Sequence, residues 1–96
     1  MTRLWVRIVN RHRVARQETV ECAWGGIDDA LTEVCRRWDV PRPVWLNKNR
    51  REMEDFRRTA FTQEHFMEEV PFDRLEIEFL EDLESPRRSQ DPRNQF

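Results

Sequence analysis

The sequence predicts a small α+β domain in which one mixed β-sheet is covered by one main helix. Residues 3–9 and 75–79 alternate apolar and polar side chains with the two-residue period of a half-buried strand. Residues 27–38 instead repeat apolar side chains with the period of an amphipathic helix. A chain of 96 residues supports one hydrophobic core. We therefore expect a single globular domain over residues 1–83.

The first elements are a pair of strands. Leu4, Val6 and Ile8 lie on one face of the first strand, and the residues between them lie on the other. Residues 14–22 predict a second strand, which polar residues 10–13 connect to the first as a hairpin.

The main helix follows Gly25 and Gly26, which interrupt the extended pattern. Aspartates in its first turn and arginines in its last match the signs of the helix dipole. Pro41 and Pro43 end it, because proline cannot continue a helix. Its apolar stripe consists of Ile27, Ala30, Leu31, Val34, Cys35 and Trp38.

The second half of the chain predicts shorter elements before the last strand. In order, these are a brief strand at 44–46, a turn at 47–49, a short surface helix at 50–58, a small strand at 59–61, and a helical turn capped by Thr62. Residues 84–96 are polar and lack apolar periodicity, so we expect a disordered tail. The helix stripe should pack on Leu4, Val6, Ile8, Leu75, Ile77 and Phe79.

This order of elements over residues 3–80 resembles the β-grasp (ubiquitin-like) fold, in which a hairpin, a crossing helix, short middle strands, a helical turn and a final strand follow one another. The resemblance rests on order and length and includes no sequence motif. It implies that the last strand runs parallel beside the first at the centre of the sheet. A carrier role of the kind known for this fold is not expected, because the chain ends in Phe96 without a Gly-Gly pair.

The net charge of −2 conceals an uneven distribution. Residues 1–58 hold 13 basic and 9 acidic residues, a net of +4, whereas residues 59–96 hold 4 and 10, a net of −6. If the terminal strands are neighbours, Arg3 and Arg7 meet glutamates 76 and 78 on the uncovered face of the sheet. The asymmetry then reflects strand pairing.

The sequence gives no signal for an enzyme, a cofactor or a metal site. Cys22 and Cys35 have no metal-ligand spacing with His12 or His65, and both cysteines fit small buried residues in a reducing compartment. A packing role fits His65 better than catalysis. No apolar run reaches the length of a membrane span. We expect a cytoplasmic, non-enzymatic protein.

Two candidate surfaces remain. A protein-interaction surface is indicated by tryptophans and arginines, residue types enriched at interface centres: Arg3, Trp5, Arg7 and Trp45. The alternative reading of Trp5 is a side chain packed beneath arginine stems, which needs no partner. A nucleic-acid surface for RNA or single strands is indicated by basic clusters with aromatic neighbours: Arg11, His12, Arg13, Arg16, Lys48, Arg50, Arg51, Arg57 and Arg58. We expect a protein-interaction or adaptor domain, with nucleic-acid binding as the alternative.

Overall fold

The computed structural model describes residues 2–81. The elements are β1 (Thr2–Asn10), β2 (Arg13–Glu21), α1 (Ile27–Trp38), α2 (Asn47–Phe56), β3 (Arg58–Thr62) and β4 (Arg74–Glu81), with 3-10 turns at Trp24–Gly26 and Gln63–His65. The expected tail at 84–96 lies outside the described residues. No helix among residues 2–81 combines the length and apolar character needed to cross a membrane.

The α+β class is confirmed, but the expectation of a mixed sheet is wrong. The four strands follow the order β2-β1-β4-β3, and each neighbouring pair is antiparallel. β1 and β4 are central neighbours, as expected, yet they do not run parallel as the β-grasp resemblance implied. The chain enters β4 at the end of the sheet where β1 finishes, because the Asp73 N–H donates to the carbonyl of Val9 at 3.0 Å. β4 must therefore run back along β1.

The core lies between the sheet and the helices, where the sequence placed it. Leu4, Val6, Leu75 and Ile77 are fully buried on the inner face of the central strands. The apolar stripe of α1 packs on them, and Trp38 lies partly buried at its end. Burying large apolar side chains contributes roughly 1.5–3 kcal/mol each, so this layer supplies most of the driving force for folding.

The chain between the two helices differs from its prediction. Residues 44–46 form no strand, and residues 47–49 form the first turn of α2 rather than a separate turn. Asn49 explains the early start of this helix, because its side-chain oxygen accepts the Leu46 N–H at 2.9 Å. That bond satisfies a backbone donor just ahead of the helix. The short surface helix predicted at 50–58 is thus α2, which begins earlier and packs Met53 into the core beside α1.

No helix of residues 2–81 covers the other side of the sheet, and we call this side the open face. Trp5, Arg7, Glu76 and Glu78 belong to this face, because they alternate with the buried residues of β1 and β4. Arg7 lies opposite Glu76, and Trp5 lies opposite Glu78. The predicted meeting of the basic first strand with the acidic last strand is thus confirmed for Arg7. Arg3 lies opposite Leu80 instead, because the strands are antiparallel.

Candidate functional site

The structure divides the predicted protein-interaction surface between two sides of the sheet. Arg3, Trp5 and Arg7 share the open face, where the guanidinium of Arg7 lies 4.3 Å from the centre of the Trp5 ring. The indole N–H of Trp5 donates to the side chain of Gln17 at 2.9 Å. Trp5 is therefore packed beneath an arginine and hydrogen-bonded within its own sheet, as in the alternative reading of the sequence.

Trp45 lies on the helical side, away from Trp5. Its ring meets Phe61 edge to face at 5.2 Å between centroids, and Phe61 is fully buried in the core. Of the four residues predicted to share one surface, three lie on the open face and Trp45 lies beside the helices.

The predicted nucleic-acid residues also fall into two separate groups. Residues 11–16 form the tip of the β1–β2 hairpin and the start of β2, at one edge of the sheet. Residues 48–58 lie in α2 and at the start of β3, the strand at the opposite edge. The two basic clusters do not form one continuous surface.

Several cations of these clusters are engaged within the protein. The guanidinium of Arg16 lies 5.4 Å from the ring centre of Trp38, and that of Arg50 lies 5.9 Å from the ring centre of Trp45. Arg11 and His12 adopt left-handed backbone conformations at the hairpin tip, where the Arg11 N–H donates to Asp73. Arg13, Lys48, Arg51 and Arg58 are exposed.

The feature with the clearest binding geometry is a cleft between the start of α1 and the outer side of α2. We call it the tryptophan cleft. It encloses about 270 Å³. Its walls combine two indole rings with one cation and two carboxylates, and the lining residues are Trp24, Gly25, Ile27, Asp28, Trp45, Arg50, Met53 and Glu54.

One wall of the cleft is Trp24, which follows β2 in a 3-10 turn. Its ring packs edge to face on Phe79 of β4 at 5.1 Å, so the central strand fixes its position. The guanidinium of Arg57 lies over the same ring, 4.5 Å from its centre. Arg57 ends α2 with a φ of 62°, a conformation that glycine adopts with less strain. Glycine at this position could not make the contact that the Arg57 side chain makes with the Trp24 ring.

The second wall is Trp45, whose indole N–H donates to Asp28 at 3.1 Å. Because Asp28 lies in the first turn of α1, this bond ties the connection between the helices to the start of α1. Trp24 keeps 41% of its surface exposed, and the neighbouring Leu46 keeps 45%. The cleft thus offers apolar surface to solvent while its polar groups are held in place.

Sequence reasoning missed Trp24 as a site residue. It stands beside Gly25 and Gly26 in a segment without periodicity, so no local pattern assigned it to a face. Its contact with Phe79 depends on the pairing of distant strands. Only the enrichment of tryptophan in interaction sites offered a signal.

A second hollow, of about 380 Å³, lies at the β3 edge of the sheet. Two of its polar contacts lie within the protein: Nε of Arg7 donates to Glu76 at 2.6 Å, and the Thr59 hydroxyl donates to Glu52 at 2.6 Å. These polar groups are therefore less available to a ligand than the lining groups of the tryptophan cleft.

Both cysteines are free thiols. Burial raises the pKa of Cys35 to about 11, although the charge of Arg42 opposes part of this rise. Burial also raises the pKa of Cys22. Both thiols therefore stay protonated at neutral pH and are weak nucleophiles there. Within the described part of the chain, no group of three or more His, Cys, Asp or Glu side chains is arranged to hold a metal ion.

Comparison with known proteins gives no relative. No family model, no curated protein and no solved structure matches the chain.

Proposed function

We propose that this protein is a non-enzymatic interaction module that binds an extended segment of a partner protein in the tryptophan cleft. The supporting observation is the pair of indole rings, Trp24 and Trp45, that line the same open hollow. Tryptophan and arginine are enriched where protein interfaces concentrate their binding energy. Rings held by Phe79 and Phe61 are pre-positioned, which reduces the entropy cost of binding.

The charges of the cleft favour a particular kind of segment. Asp28 and Glu54 outnumber Arg50 among the charged lining residues, which gives the lining a net charge of −1. A fitting segment carries a proline or aliphatic side chain for the space between the rings and a basic residue beside it. The partner is thus identified by an apolar anchor flanked by positive charge.

The same charges argue against the nucleic-acid alternative at this site. Stacking on Trp24 and Trp45 suits a base, but Asp28 and Glu54 repel a phosphate backbone. Acidic residues also interrupt the basic segment that forms α2, at Glu52, Glu54 and Asp55. Protein binding is therefore the better supported of the two functions. The cytoplasmic location expected from the sequence stays a prediction.

A pair of glycine substitutions tests the cleft directly. Gly25 lines the cleft, and a Cβ built there meets no atom within 4 Å. Gly26 has the same open surroundings but does not line the cleft, and neither glycine has a positive φ. Gly25→Leu should fill the cleft without strain, whereas Gly26→Leu provides a matched control beside it.

The assay is selection from a random peptide library on the immobilised full chain, followed by titration of the selected peptides. We expect sequences with an apolar anchor next to arginine or lysine. Gly25→Leu should weaken their binding by at least about tenfold, whereas Gly26→Leu should leave it unchanged. Glu54→Lys should remove the preference for basic peptides.

Two results would contradict the proposal. One is a selection that yields no peptide sensitive to Gly25→Leu. The other is binding of a labelled uridine oligonucleotide that Gly25→Leu abolishes, because this would assign the cleft to nucleic acid.

A further inference from the structure

The two edges of the sheet differ in how their outward backbone groups are satisfied. Just before β3, Arg57 forms a hydrogen-bonded pair with Phe79 of β4, because the Phe79 N–H donates to the Arg57 carbonyl at 2.7 Å. Since bonded pairs alternate in an antiparallel ladder, the backbone groups of Arg58, Ala60 and Thr62 face outward.

Side chains occupy part of this outward row on β3. The Asn49 amide donates to the carbonyl of Ala60 at 3.1 Å. The Thr62 N–H donates to Nδ1 of His65 at 3.1 Å. A further strand would have to displace both contacts. The β3 edge is thus protected against pairing by groups of its own chain.

The β2 edge is nine residues long, and within residues 2–81 no side-chain contact of this kind covers it, although its register with β1 shifts between Ile8 and Val9. The Cys22 N–H donates to the Thr2 carbonyl at 3.1 Å, so the alternation turns the backbone groups of Gln17, Thr19 and Glu21 outward. No helix or turn side chain within residues 2–81 bonds to these groups. They form a row of donors and acceptors at the spacing that another strand requires.

The charge order along β2 is complementary to itself in the antiparallel sense. Its first half carries Arg13 and Arg16, and its second half carries Glu18 and Glu21. When the β2 strands of two copies pair in antiparallel orientation, the basic half of each strand faces the acidic half of the other. Opposite charges facing each other across strands are favourable, and like charges are unfavourable.

We propose that β2 is a self-association edge through which two copies of this chain join their sheets into one antiparallel sheet of eight strands. The favoured register is centred on Gln17, because it places Arg16 of each copy opposite Glu18 of the other. A register centred on Glu18 brings two glutamates together at the axis. Charge thus selects the register as well as the partner. This interface is separate from the tryptophan cleft and does not depend on the function proposed for it.

Arg16 and Glu18 lie on the helical side of the sheet, where Arg16 stacks on Trp38 and Glu18 pairs with Arg37. Their side chains are therefore positioned before a second copy arrives. The shared surface is confined to one strand edge, which is smaller than a standard stable interface. The dimer should form at high micromolar concentration and dissociate on dilution.

The first experiment measures the molar mass of the full chain by sedimentation between about 10 μM and about 1 mM, the range expected for a small interface. The mass should rise from the 11.8 kDa of one chain toward twice that value. Thr19→Pro removes an outward N–H but no bond to β1, so it should abolish the rise. Thr19→Ala keeps the N–H and should still associate.

The second experiment exchanges charges between copies. Arg16→Glu alone and Glu18→Arg alone each create like-charge contacts, so each variant should weaken self-association at least about tenfold. In an equimolar mixture of the two variants every facing pair is again opposite in sign. The mixture should recover association.

Three results would overturn the proposal. They are a mass of one chain at every concentration, a dimer that Thr19→Pro leaves intact, and a mixture of charge variants that stays dissociated. Circular dichroism of each variant separates lost association from lost folding. A folded chain that remains monomeric leaves the tryptophan cleft as a separate question, which the peptide assay answers independently.

Discussion

Arg7 and Glu76 form an ion pair that joins the two central strands, with Nε of Arg7 2.6 Å from Oε1 of Glu76. Their side chains are only 15% and 20% exposed, although both belong to the open face. Arg74 contributes a second bond to the same carboxylate, at 2.5 Å. Burial raises the pKa of Glu76, but the hydrogen bonds and charges of Arg74 and Arg7 outweigh burial and hold it below its ordinary value.

Glu76→Gln should reduce the loss of stability in acid. A carboxyl with a lowered folded pKa stabilises the protein fully above its unfolded pKa, and this contribution disappears as pH falls through the folded pKa. The wild type should thus lose more free energy of unfolding than the variant below about pH 4. Urea unfolding at neutral and acidic pH measures the difference. Glu64→Gln, at an exposed position, should behave as the wild type, and equal acid losses in all three proteins would contradict the assignment.

This ion pair also shows what the sequence could predict about the sheet. The β-grasp resemblance implied that the first and last strands are neighbours, and the opposite charges on their outer faces fitted that pairing. Their relative direction was not predictable, because Leu75 to Phe79 alternates in the same way when read from either end. A two-residue period fixes which face is buried but not which way a strand runs. The direction of β4 is set by the connection before it, which places Asp73 beside Val9 at the end of β1.

Asn49 is the polar residue on which the β3 edge and the start of α2 both depend. It is 1% exposed and bonds to Leu46, Thr59 and Ala60. Asn49→Ala should lower the free energy of unfolding by about 2 kcal/mol, because buried partners lose their hydrogen bonds. Chemical unfolding measures this, with Asn47→Ala at an exposed helix position as the control. A change of equal size in both variants would show that helix propensity, rather than the buried network, is responsible.

Ile77→Asp should unfold the domain. Ile77 is fully buried in the core, and the substitution places a carboxylate there without a partner. The expected observation is the loss of a cooperative thermal transition by circular dichroism. The neighbouring Glu78→Asp retains its charge on the open face and should melt close to the wild type. A cooperative transition of Ile77→Asp near the wild-type temperature would exclude Ile77 from the core.

Trp5→Ala should leave the domain folded. Trp5 lies on the open face, and its removal loses the contact with Arg7 and the hydrogen bond to Gln17 but opens no cavity beneath α1. We expect the free energy of unfolding to fall by about 1 kcal/mol, the size of an exposed cation–π contact. Binding of peptides to the tryptophan cleft should not change. A loss comparable to that of a core truncation would place Trp5 in the core.

The candidate site was less predictable than the fold. Patterns of apolar residues identify core faces because burial repeats with the geometry of helices and strands. Trp24 and Trp45 lie in connecting segments, and their rings are brought to one cleft by Phe79 and Phe61, which belong to different strands. Composition indicated that tryptophans and arginines would form an interaction surface. Which of them share a surface depended on the antiparallel order of the sheet.

The buried thiol of Cys35 should make the protein lose stability at alkaline pH. Because burial raises its pKa from 9.0 to about 11, the unfolded chain ionises first as pH rises, and the free energy of unfolding falls through this interval. A shift of this size corresponds to about 3 kcal/mol once both states are ionised. The chain has no tyrosine, so no phenol titrates in the same range. Urea unfolding between about pH 8 and about pH 11 measures the fall, which Cys35→Ala should largely remove and Cys22→Ala should largely retain. An equal fall in Cys35→Ala would assign the alkaline transition to another group.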